Sequence, residues 1–362
     1  MWSKRVLGLK FLRCKPNQVP PSNGKKVAII GAGTAGLGAA GVLKCKGYDV
    51  TVYDMLPEPG GMLMFGIHVD RIPKPPIREG VRELMDAGVE FVLNTKVGNR
   101  DLERMDELVK AKNVVDLEDI IKSYDAVLIA TGTWTSNKSK VPGEELPWVY
   151  PAMEFLVATH LAKFGYRPWD IVPNVKGDLL VVGGGYTAED AAYVPRTYPE
   201  YRDRMRRIVL SYRRTRNEAP MGPMEMTNIE ASGVEIWELT VPIAYREENG
   251  RRIVRIIRNR LVQAPGEKRP RPEPIPGSEF DAYFDFVLEA IGERPTPPFE
   301  GKECCGIKLT DWGTIVVDKD MMTSRKGVFA AGDVVHGPSQ LGPALKSGMD
   351  AANAIMRYLS QR

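Results

Sequence analysis

The sequence predicts an α/β fold with two Rossmann-like dinucleotide-binding lobes, because one pattern occurs twice along its 362 residues. The pattern is an apolar strand, a glycine-rich turn and a helix of small residues, followed by another apolar strand. Its two copies begin at Val27 (VAIIGAGTAGLGAAGVL) and at Leu179 (LLVVGGGYTAEDAA). Such a βαβ unit binds a dinucleotide beyond the carboxyl ends of its strands. Two copies about one domain length apart therefore indicate two lobes.

The rest of the chain is assigned around these two units. We predict an N-terminal arm over 1–24, a first lobe formed by 25–145 and 285–362, and a second lobe over 146–284. Strands follow the two helices at 48–54 and 207–214, and further strands are predicted at 89–93, 126–130, 284–290, 314–317 and 327–331. The proline-rich and charged segment 258–280 predicts a connection or a hairpin excursion. ALKSGMDAANAIMRYL, near the C-terminus, has helical spacing of its apolar residues.

Composition limits the class of protein. Hydrophobic residues make up 43% and charged residues 27% of the chain, as in folded globular proteins. A net charge of +4 is too small to indicate a nucleic-acid binder. No apolar run approaches the roughly 20 residues of a membrane helix. The basic N-terminus has no apolar core or cleavage site, so we expect no signal peptide and a cytoplasmic protein.

The cysteines are Cys14, Cys45, Cys304 and Cys305, and they contain no C-x-x-C pair. This spacing argues against a disulfide framework, a thioredoxin-type redox pair and a four-cysteine cluster within the chain. Adjacent cysteines are expected to point apart, so we expect no redox or metal role at Cys304 and Cys305. The three histidines are widely separated, and no metal site is predicted.

The first glycine turn has the spacing of a pyrophosphate-binding loop. Gly31 permits the tight turn, Gly33 allows the backbone to approach a pyrophosphate, and Gly36 lets the helix pack closely on the sheet. Asp54 lies at the end of the next strand, where a carboxylate can accept hydrogen bonds from a ribose.

The second turn predicts a different nucleotide. It has Gly183 and Gly185, with Ala188 in place of the third glycine, and the next strand ends in arginine instead of an acid. A carboxylate there would repel a 2′-phosphate, whereas a guanidinium can pair with it bidentately. Arg213 and Arg214 are therefore expected to select NADPH over NADH. The alternative is a solvated strand end, and Arg216 is expected to be its solvated member.

A run of sequence words extends from about residue 25 to 360 in a definite order. They are GAGTAG, VTVYDMLPEPGGMLMFGI with RIPK, IATGT, VPGEEL, GGGYTAEDAA, YRRTRNEAP, AIGERP and GVFAAGDVVHGPSQLGPALKSGMDAA. Together they resemble the FAD- and NADPH-binding portion of the glutamate synthase small (beta) subunit family. Adrenodoxin reductase is a more distant relative. The resemblance implies a glutathione-reductase-like flavoprotein with FAD on the first lobe and NADPH on the second.

The resemblance also assigns binding positions but no catalytic side chain, because the cofactors perform the chemistry. At the adenosine half of FAD it implies Gly31, Gly33, Ala35 and Gly36 at the pyrophosphate, Asp54 at the ribose and Val97 near the adenine. Toward the flavin it implies Gly60, Gly61 and Met62, with Ala130, Thr131 and Gly132 over the cofactor. Gly332 and Asp333 would lie near the ribityl phosphate, and Gln340 and Leu341 at the flavin's pyrimidine edge. For NADPH it implies Gly184, Gly185, Tyr186 and Thr187 at the phosphates, with Arg213 and Arg214 at the 2′-phosphate.

Some positions depart from the family pattern. Asp54 stands where the family more often has Glu, and Tyr186 replaces a usual Asn. His68 replaces a Pro, and we expect it to be a packing or rim residue, as we do His336. Full-length family members carry an N-terminal iron–sulfur domain, which this chain is expected to lack.

The expected function is hydride transfer between NADPH and FAD, with electrons exchanged with an iron–sulfur partner subunit or a ferredoxin in a hetero-oligomer. One alternative is the flavin subunit of an amino-acid dehydrogenase complex. Another is a structural or regulatory subunit that keeps FAD but has no turnover. The arm and the 258–280 excursion are candidate docking surfaces. The arm could equally be a poorly ordered terminus.

Overall fold

A computed structural model describes residues 9–267 and 269–361. Its contacts divide the chain into two units, the first ending at Thr135 and resuming at Glu293, and the second spanning Ser136–Gly292. The predicted boundaries lay at 145/146 and 284/285. The first eight residues of the predicted arm lie outside the described residues.

The helices of the described residues are numbered in chain order. They are α1 Thr34–Lys44, α2 Met62–Phe65, α3 Lys74–Asp86, α4 Arg104–Val109, α5 Leu117–Ser123, α6 Ala152–Lys163, α7 Tyr186–Thr197, α8 Pro199–Arg202, α9 Pro223–Ala231, α10 Asp333–His336 and α11 Leu341–Ser360. Short 3₁₀ turns lie at Pro16–Gln18, Trp169–Ile171 and Arg216–Glu218.

The strands are numbered in the same way. They are β1 Lys26–Ile30, β2 Asp49–Tyr53, β3 Glu90–Val92, β4 Thr95–Val97, β5 Asn113–Val115, β6 Ala126–Ile129, β7 Thr133–Ser136, β8 Val149–Pro151, β9 Gly177–Val182, β10 Met205–Tyr212, β11 Glu235–Glu238, β12 Thr240–Glu248, β13 Arg251–Val262, β14 Arg271–Pro274, β15 Phe280–Tyr283, β16 Phe286–Glu289, β17 Glu293–Pro295, β18 Glu303–Cys304, β19 Ile307–Lys308 and β20 Val328–Ala330.

The first unit is built on a parallel sheet in the order β20-β6-β1-β2-β3. Its central strands β1 and β6 are almost entirely buried, which explains their continuous apolar sequences. Because the strands are parallel, β1, β2, β6 and β20 all end at the same edge. The glycine turn, Asp54, the ATG motif (130–132) and the GD motif (332–333) each follow one of these ends. Four segments that are far apart in the sequence therefore meet at one edge of the sheet.

Helix α11 packs along α1 in the same unit, and small residues make this possible. A Cβ on Gly348 would lie 1.9 Å from the carbonyl oxygen of Ala35, and one on Gly38 would lie 2.6 Å from the Leu345 side chain. The two helices can approach this closely only because both positions are glycine. The approach brings the C-terminal helix of the chain against the first crossover helix.

The second unit repeats the architecture. Its sheet has the order β11-β10-β9-β16-β8, and all of its neighbouring strands are parallel. An antiparallel sheet of β12, β13 and β14, with β15 also paired to β13, is inserted between β11 and β16. The predicted excursion at 258–280 is confirmed, since it contains the end of β13, all of β14 and the start of β15.

The strand predictions are confirmed at β3, β6, β16 and β20, as is the C-terminal helix. The strand predicted at 314–317 is wrong. Ile315 and Val317 form only isolated bridges, to Leu309 and Thr323 respectively. A turn at Gly313 folds this connection back on itself, so each apolar residue meets a different short partner and no continuous ladder forms.

The cysteines differ from the sequence expectation in two places, and the first is a disulfide between Cys14 and Cys45. It joins the arm to the end of α1. The backbone of the arm also packs against two helices, because a Cβ on Gly41 would lie 1.9 Å from the Phe11 carbonyl oxygen and one on Gly80 would lie 2.3 Å from that of Leu9. The pairing was missed because it depends on the tertiary path of the arm, which no local spacing reveals.

The second difference is at Cys304 and Cys305, whose Sγ atoms lie 3.0 Å apart and do not point apart as expected. Cys305 has a φ of 55°, in the left-handed region, within the turn between β18 and β19. This unusual backbone brings adjacent side chains to one side. Burial, followed by the neighbouring Cys304 thiol, raises the pKa of Cys305 to about 12, so its thiol is protonated at neutral pH.

Candidate dinucleotide sites

The first glycine turn is a place where two backbone segments meet without room for a side chain. Gly31 has a φ of 108°, and a Cβ there would lie 2.3 Å from the carbonyl oxygen of Ala130. A Cβ on Gly36 would lie 1.9 Å from the carbonyl oxygen of Gly31. Both distances are far below any real contact, so both positions require glycine. The turn is therefore pressed against the end of β6 on one side and against α1 on the other.

Gly33 has the opposite environment. Apart from Gly33 itself and its neighbours along the chain, no atom lies within 4 Å of the position that a Cβ would occupy, and the backbone is extended at φ −77°. It is the N-cap of α1, whose first amides have no partner within the helix. Open space in front of the positive end of an 11-residue helix suits a phosphate group. Gly33 is thus open for a ligand, whereas Gly31 and Gly36 are closed by packing.

Other predicted FAD positions surround this turn. The Gly60 amide donates to the carbonyl of Ala32 at 2.8 Å, and a Cβ on Gly61 would lie 2.9 Å from Cα of Gly33. A Cβ on Gly332 would lie 2.9 Å from the Ala35 methyl group. Three motifs, GG (60–61), ATG (130–132) and GD (332–333), therefore lie in contact with the first glycine turn or the start of α1. Met62 is the partly buried first residue of α2, directly after Gly61.

A pocket that is open to solvent lies beside the turn. It is lined by Ile30, Gly31, Tyr53, Asp54, Met55, Thr95, Lys96, Val97, Arg100, Leu102, Thr131, Trp134 and Thr296. Gly31, Asp54, Val97 and Thr131 were predicted from the sequence. The cationic lining residues Lys96 and Arg100 were missed, although their closeness to Val97 in the chain was an available signal.

Asp54 joins the two strand ends of the βαβ unit. Its Oδ2 accepts from the Ala32 amide at 2.6 Å and its Oδ1 accepts from the Leu56 amide at 2.8 Å. Each carboxylate oxygen keeps a further lone pair, so the group can still accept from a ribose hydroxyl. Burial raises the pKa of Asp54 to about 6, and the two backbone hydrogen bonds oppose this shift without cancelling it.

The remaining predicted FAD positions lie along the same sheet edge. The Thr131 hydroxyl donates to the Thr296 carbonyl at 2.7 Å, and the Gly132 carbonyl accepts from the Thr296 amide at 3.0 Å. Asp333 accepts from the Ser339 hydroxyl at 2.6 Å, and burial raises the pKa of its carboxyl group. Gln340 is the exposed N-cap of α11, and the first amides of that helix, from Leu341 on, have no acceptor within the helix.

A buried lysine supports the segment around Met62. Lys74, from the RIPK word, is 3% exposed, and its Nζ donates to the Leu63 carbonyl at 2.6 Å and to the Ile67 carbonyl at 2.7 Å. His68 is fully buried, and its Nδ1 accepts from the Arg71 amide at 3.1 Å. These contacts are those of packing residues. Nε2 of His336 lies 3.5 Å from the Ser347 hydroxyl, on an exposed residue.

The second glycine turn repeats the first. Gly183 has a φ of 146°, and a Cβ there would lie 2.2 Å from the carbonyl oxygen of Ala290. A Cβ on Gly184 would lie 2.4 Å from the Tyr212 ring. Gly185, the N-cap of α7, again has no atom within 4 Å of that position. The N-terminus of α7 therefore has the same open space as that of α1, and Tyr186 there is exposed while Thr187 is partly buried.

Arg213 and Arg214 directly follow β10, next to this turn. Neither forms an ion pair with a carboxylate among the described residues, and Arg214 Nε donates to the Pro270 carbonyl at 3.0 Å. Arg216 differs, because its Nε binds Glu238 at 2.6 Å and its Nη1 binds Glu230 at 3.2 Å. Arg216 is thus a partly exposed, paired residue and not the simply solvated one that we expected.

Comparison with known proteins identifies the family of the chain. Residues 25–348 match the family described as pyridine nucleotide-disulphide oxidoreductase. The chain belongs to this family. It is 34% identical over 352 residues to the glutamate synthase [NADPH] small chain of Azospirillum brasilense, which covers 95% of this chain and 68% of that protein. The predicted membership of the glutamate synthase small-subunit family is confirmed.

Two further comparisons concern a relative and the fold. The chain is 36% identical over 346 residues to the NADP(+)-dependent formate dehydrogenase subunit beta of Moorella thermoacetica, covering 94% of this chain and 45% of that protein. The structure of Mycobacterium tuberculosis FprA in complex with NADPH has a TM-score of 0.76 at 19% identity, covering 94% of this chain and 85% of that chain. The predicted fold class is confirmed.

Family membership makes the chain an NADPH-dependent flavin oxidoreductase, so the predicted enzyme class and the predicted cofactors, FAD and NADPH, are confirmed. No helix among the described residues has the length and apolar character needed to cross a membrane. In the same part of the chain, no group of three or more His, Cys, Asp or Glu side chains is arranged to hold a metal ion. The assignment of individual residues to FAD or NADPH remains a prediction.

The open glycines allow binding to be separated from folding. We expect Gly33→Ala to raise the Kd for FAD about tenfold or more, because its methyl group would occupy the space of a phosphate. Its extended backbone accepts alanine, so the apo protein should keep its Tm. The matched variant Gly185→Ala should weaken NADPH and leave FAD unchanged. Titration of each apo variant with each cofactor checks this, and a loss of FAD affinity in both variants would contradict it.

The raised pKa of Asp54 predicts a pH dependence of FAD binding. The carboxylate, and not the carboxylic acid, can accept hydrogen bonds from two hydroxyl groups, so the Kd for FAD should rise as pH falls through about 6.

In the apo protein the raised pKa of Asp54 affects folding stability in the opposite direction. It contributes stability that is present below the unfolded pKa and is lost as pH rises through about 6. Fluorescence titration of FAD from pH 5 to 8, with Tm at each pH, measures both. A Kd independent of pH would exclude Asp54 from the ribose site.

Proposed function

We propose that this chain is the NADPH-oxidising flavin subunit of a cytoplasmic electron-transfer complex, in which an iron–sulfur partner subunit or a ferredoxin exchanges electrons with its FAD. The observation that carries the proposal is the opposite charge at corresponding ends of two similar βαβ units. Asp54 follows β2 in the first unit, and Arg213 and Arg214 follow β10 in the second. The first arrangement suits a ribose without a phosphate, and the second suits a 2′-phosphate.

The first unit offers the contacts that FAD needs. The open N-cap at Gly33 would receive the pyrophosphate, and the Asp54 carboxylate would accept hydrogen bonds from the adenosine ribose. Val97 lines the adjoining pocket and would contact the adenine. The amides at the start of α11 would donate to the flavin ring, where a helix N-terminus favours negative charge. These roles explain why four separate sequence words meet at one sheet edge.

The second unit would hold NADPH in a corresponding manner. The open N-cap at Gly185 would receive the pyrophosphate, and Tyr186 and Thr187 would lie beside it. When bound, NADPH supplies a hydride that FAD accepts, and reduced FAD can release its two electrons singly. The protein's contribution is to position the two cofactors and to complement their charges. No acid or base side chain is needed for the hydride step.

The proposed partner rests on the names of relatives and on this chemistry. The similar proteins described above are named as a small chain of glutamate synthase and as the beta subunit of a formate dehydrogenase. Both names describe parts of larger enzymes. A cofactor that can release electrons one at a time suits a one-electron carrier such as an iron–sulfur cluster. We therefore place the next electron acceptor, or donor, on another chain.

Anaerobic reduction of the FAD-loaded chain tests the nucleotide half of the proposal. We expect NADPH to bleach the flavin absorbance in a stopped-flow experiment. Replacing both arginines, in R213A/R214A, should weaken NADPH by roughly a hundredfold and NADH by less than threefold, since each guanidinium would form charge-assisted hydrogen bonds to the 2′-phosphate, which NADH lacks. Arg216→Ala is the matched control and should leave the ratio of NADPH to NADH affinity unchanged.

The outcomes also separate the alternatives. Binding of NADPH without bleaching would indicate a structural or regulatory subunit. In the amino-acid dehydrogenase alternative the substrate is oxidised on a partner chain, so reduction of the flavin by NADPH alone, without an amino acid, would argue against it. Equal losses of affinity for NADPH and NADH in R213A/R214A would indicate that these arginines form only a solvated strand end.

Isolation of the native complex tests the partner half. We expect the chain, purified with an affinity tag under anaerobic conditions, to bring with it a second chain that contains iron and acid-labile sulfide. NADPH should then reduce the iron–sulfur centre of the complex, as seen by electron paramagnetic resonance. A complex without iron, or a chain that remains alone and does not reduce added ferredoxin, would overturn the proposed partner.

A further inference from the structure

A third arginine lies beside the strand end that carries Arg213 and Arg214. Arg269 belongs to the turn that joins β13 to β14, more than fifty positions later in the chain. Its Nη2 donates to the Tyr212 hydroxyl at 2.6 Å, and Tyr212 is the last residue of β10. The antiparallel insertion therefore returns to the carboxyl edge of the parallel sheet, where the NADPH site is proposed.

Two further contacts hold the insertion at this position. Arg214 Nε donates to the carbonyl of Pro270 at 3.0 Å, and Asn259 Nδ2 donates to the carbonyl of Arg213 at 3.1 Å. The turn is also braced internally by an ion pair of 3.1 Å between Arg271 and Glu267. The insertion thus contacts the backbone of Arg213 and the side chain of Arg214.

The charges at this position are unbalanced. Among the described residues, none of Arg213, Arg214 and Arg269 forms an ion pair with a carboxylate, whereas Arg216 and Arg271, close to them in the chain, both do. Partial burial of its guanidinium, followed by the positive charge of Arg214 and then, more weakly, that of Arg269, lowers the pKa of Arg213. Three guanidinium groups held together without a counter-ion favour the binding of an anion.

Tyr212 relates this group to the glycine turn. Its ring packs under Gly184, so closely that a Cβ there would lie 2.4 Å from it. Its hydroxyl donates to the Glu218 carbonyl at 3.0 Å and accepts from Arg269. Arg269 is therefore positioned relative to the proposed pyrophosphate loop through one buried ring.

We propose, building on the function proposed above, that Arg269 binds the 2′-phosphate of NADPH together with Arg213 and Arg214. A phosphate group carries close to two negative charges and three acceptor oxygens at neutral pH, which three guanidinium groups can match. Part of the preference for NADPH then resides outside the βαβ unit, in the turn between β13 and β14. Fixed spacing after the glycine turn identifies Arg213 and Arg214, but it does not identify Arg269.

Calorimetric titration of the FAD-loaded chain with 2′,5′-ADP and with 5′-AMP tests this assignment, because the two probes differ only in the 2′-phosphate. We expect Arg269→Ala to weaken 2′,5′-ADP about tenfold or more and 5′-AMP by less than twofold. Arg269→Lys should recover part of the loss, since it keeps the charge but not the bidentate fork. Arg271→Ala, in the same hairpin, is the matched control and should change neither affinity by more than twofold.

A role for Arg269 only in supporting Tyr212 gives a different result. Both probes would then weaken equally in Arg269→Ala, and Tyr212→Phe would reproduce the loss. That outcome, or no change for either probe, would overturn the inference. The proposed function is tested separately, by the bleaching of FAD with NADPH. If NADPH does not bleach the flavin of the wild-type chain but Arg269→Ala still weakens 2′,5′-ADP selectively, the proposed function is wrong and the proposed phosphate site is supported.

Discussion

The close approach of backbone to backbone at the two glycine turns is the constraint on which each unit depends. In the first unit a side chain on Gly31 would collide with the Ala130 carbonyl, and one on Gly36 with the carbonyl of Gly31 itself. In the second unit Gly183 is closed in the same way by Ala290. The strands and the crossover helix can meet only where no side chain intervenes. The same turns leave Gly33 and Gly185 open at the helix N-termini, where the proposed anion sites lie.

The strand ends beside the two glycine turns differ in charge, and this difference is the basis of the proposal that the units bind different nucleotides. Asp54 is held by the amides of Ala32 and Leu56 at the edge of a pocket in the first unit. At the corresponding strand end of the second unit, the side chains are cationic and lack carboxylate partners within the described chain. The energy of desolvating Asp54 appears as a raised pKa, and the mutual repulsion of the arginines contributes to a lowered pKa at Arg213. The first site thus offers a hydrogen-bond acceptor for a neutral hydroxyl group, and the second offers positive charge for an anion.

Elements outside the βαβ units modify the two sites. The arm is tied to α1 by the Cys14–Cys45 disulfide and by the packing of Phe11 on Gly41. Since α1 presents the open Gly33, the arm supports the helix that would receive the pyrophosphate. In the second unit, the antiparallel insertion has a comparable place, because Pro270 and Asn259 hold the segment that carries Arg213 and Arg214. Insertions of this kind can adjust specificity without altering the sheet.

By itself, the sequence determined the parts of this protein that depend on local spacing. The two lobes were predicted from the glycine intervals and the continuous apolar strands. The type of residue after each strand was enough to single out Asp54, Arg213 and Arg214. These signals are visible in the sequence because turn chemistry and strand burial act over a few residues. The tertiary structure alone decided which distant residues meet. It paired Cys14 with Cys45, gave Arg216 two carboxylates, broke the strand predicted at 314–317 and brought Arg269 to Tyr212. Such contacts depend on how long loops return to the sheets, and no periodicity along the chain records that path.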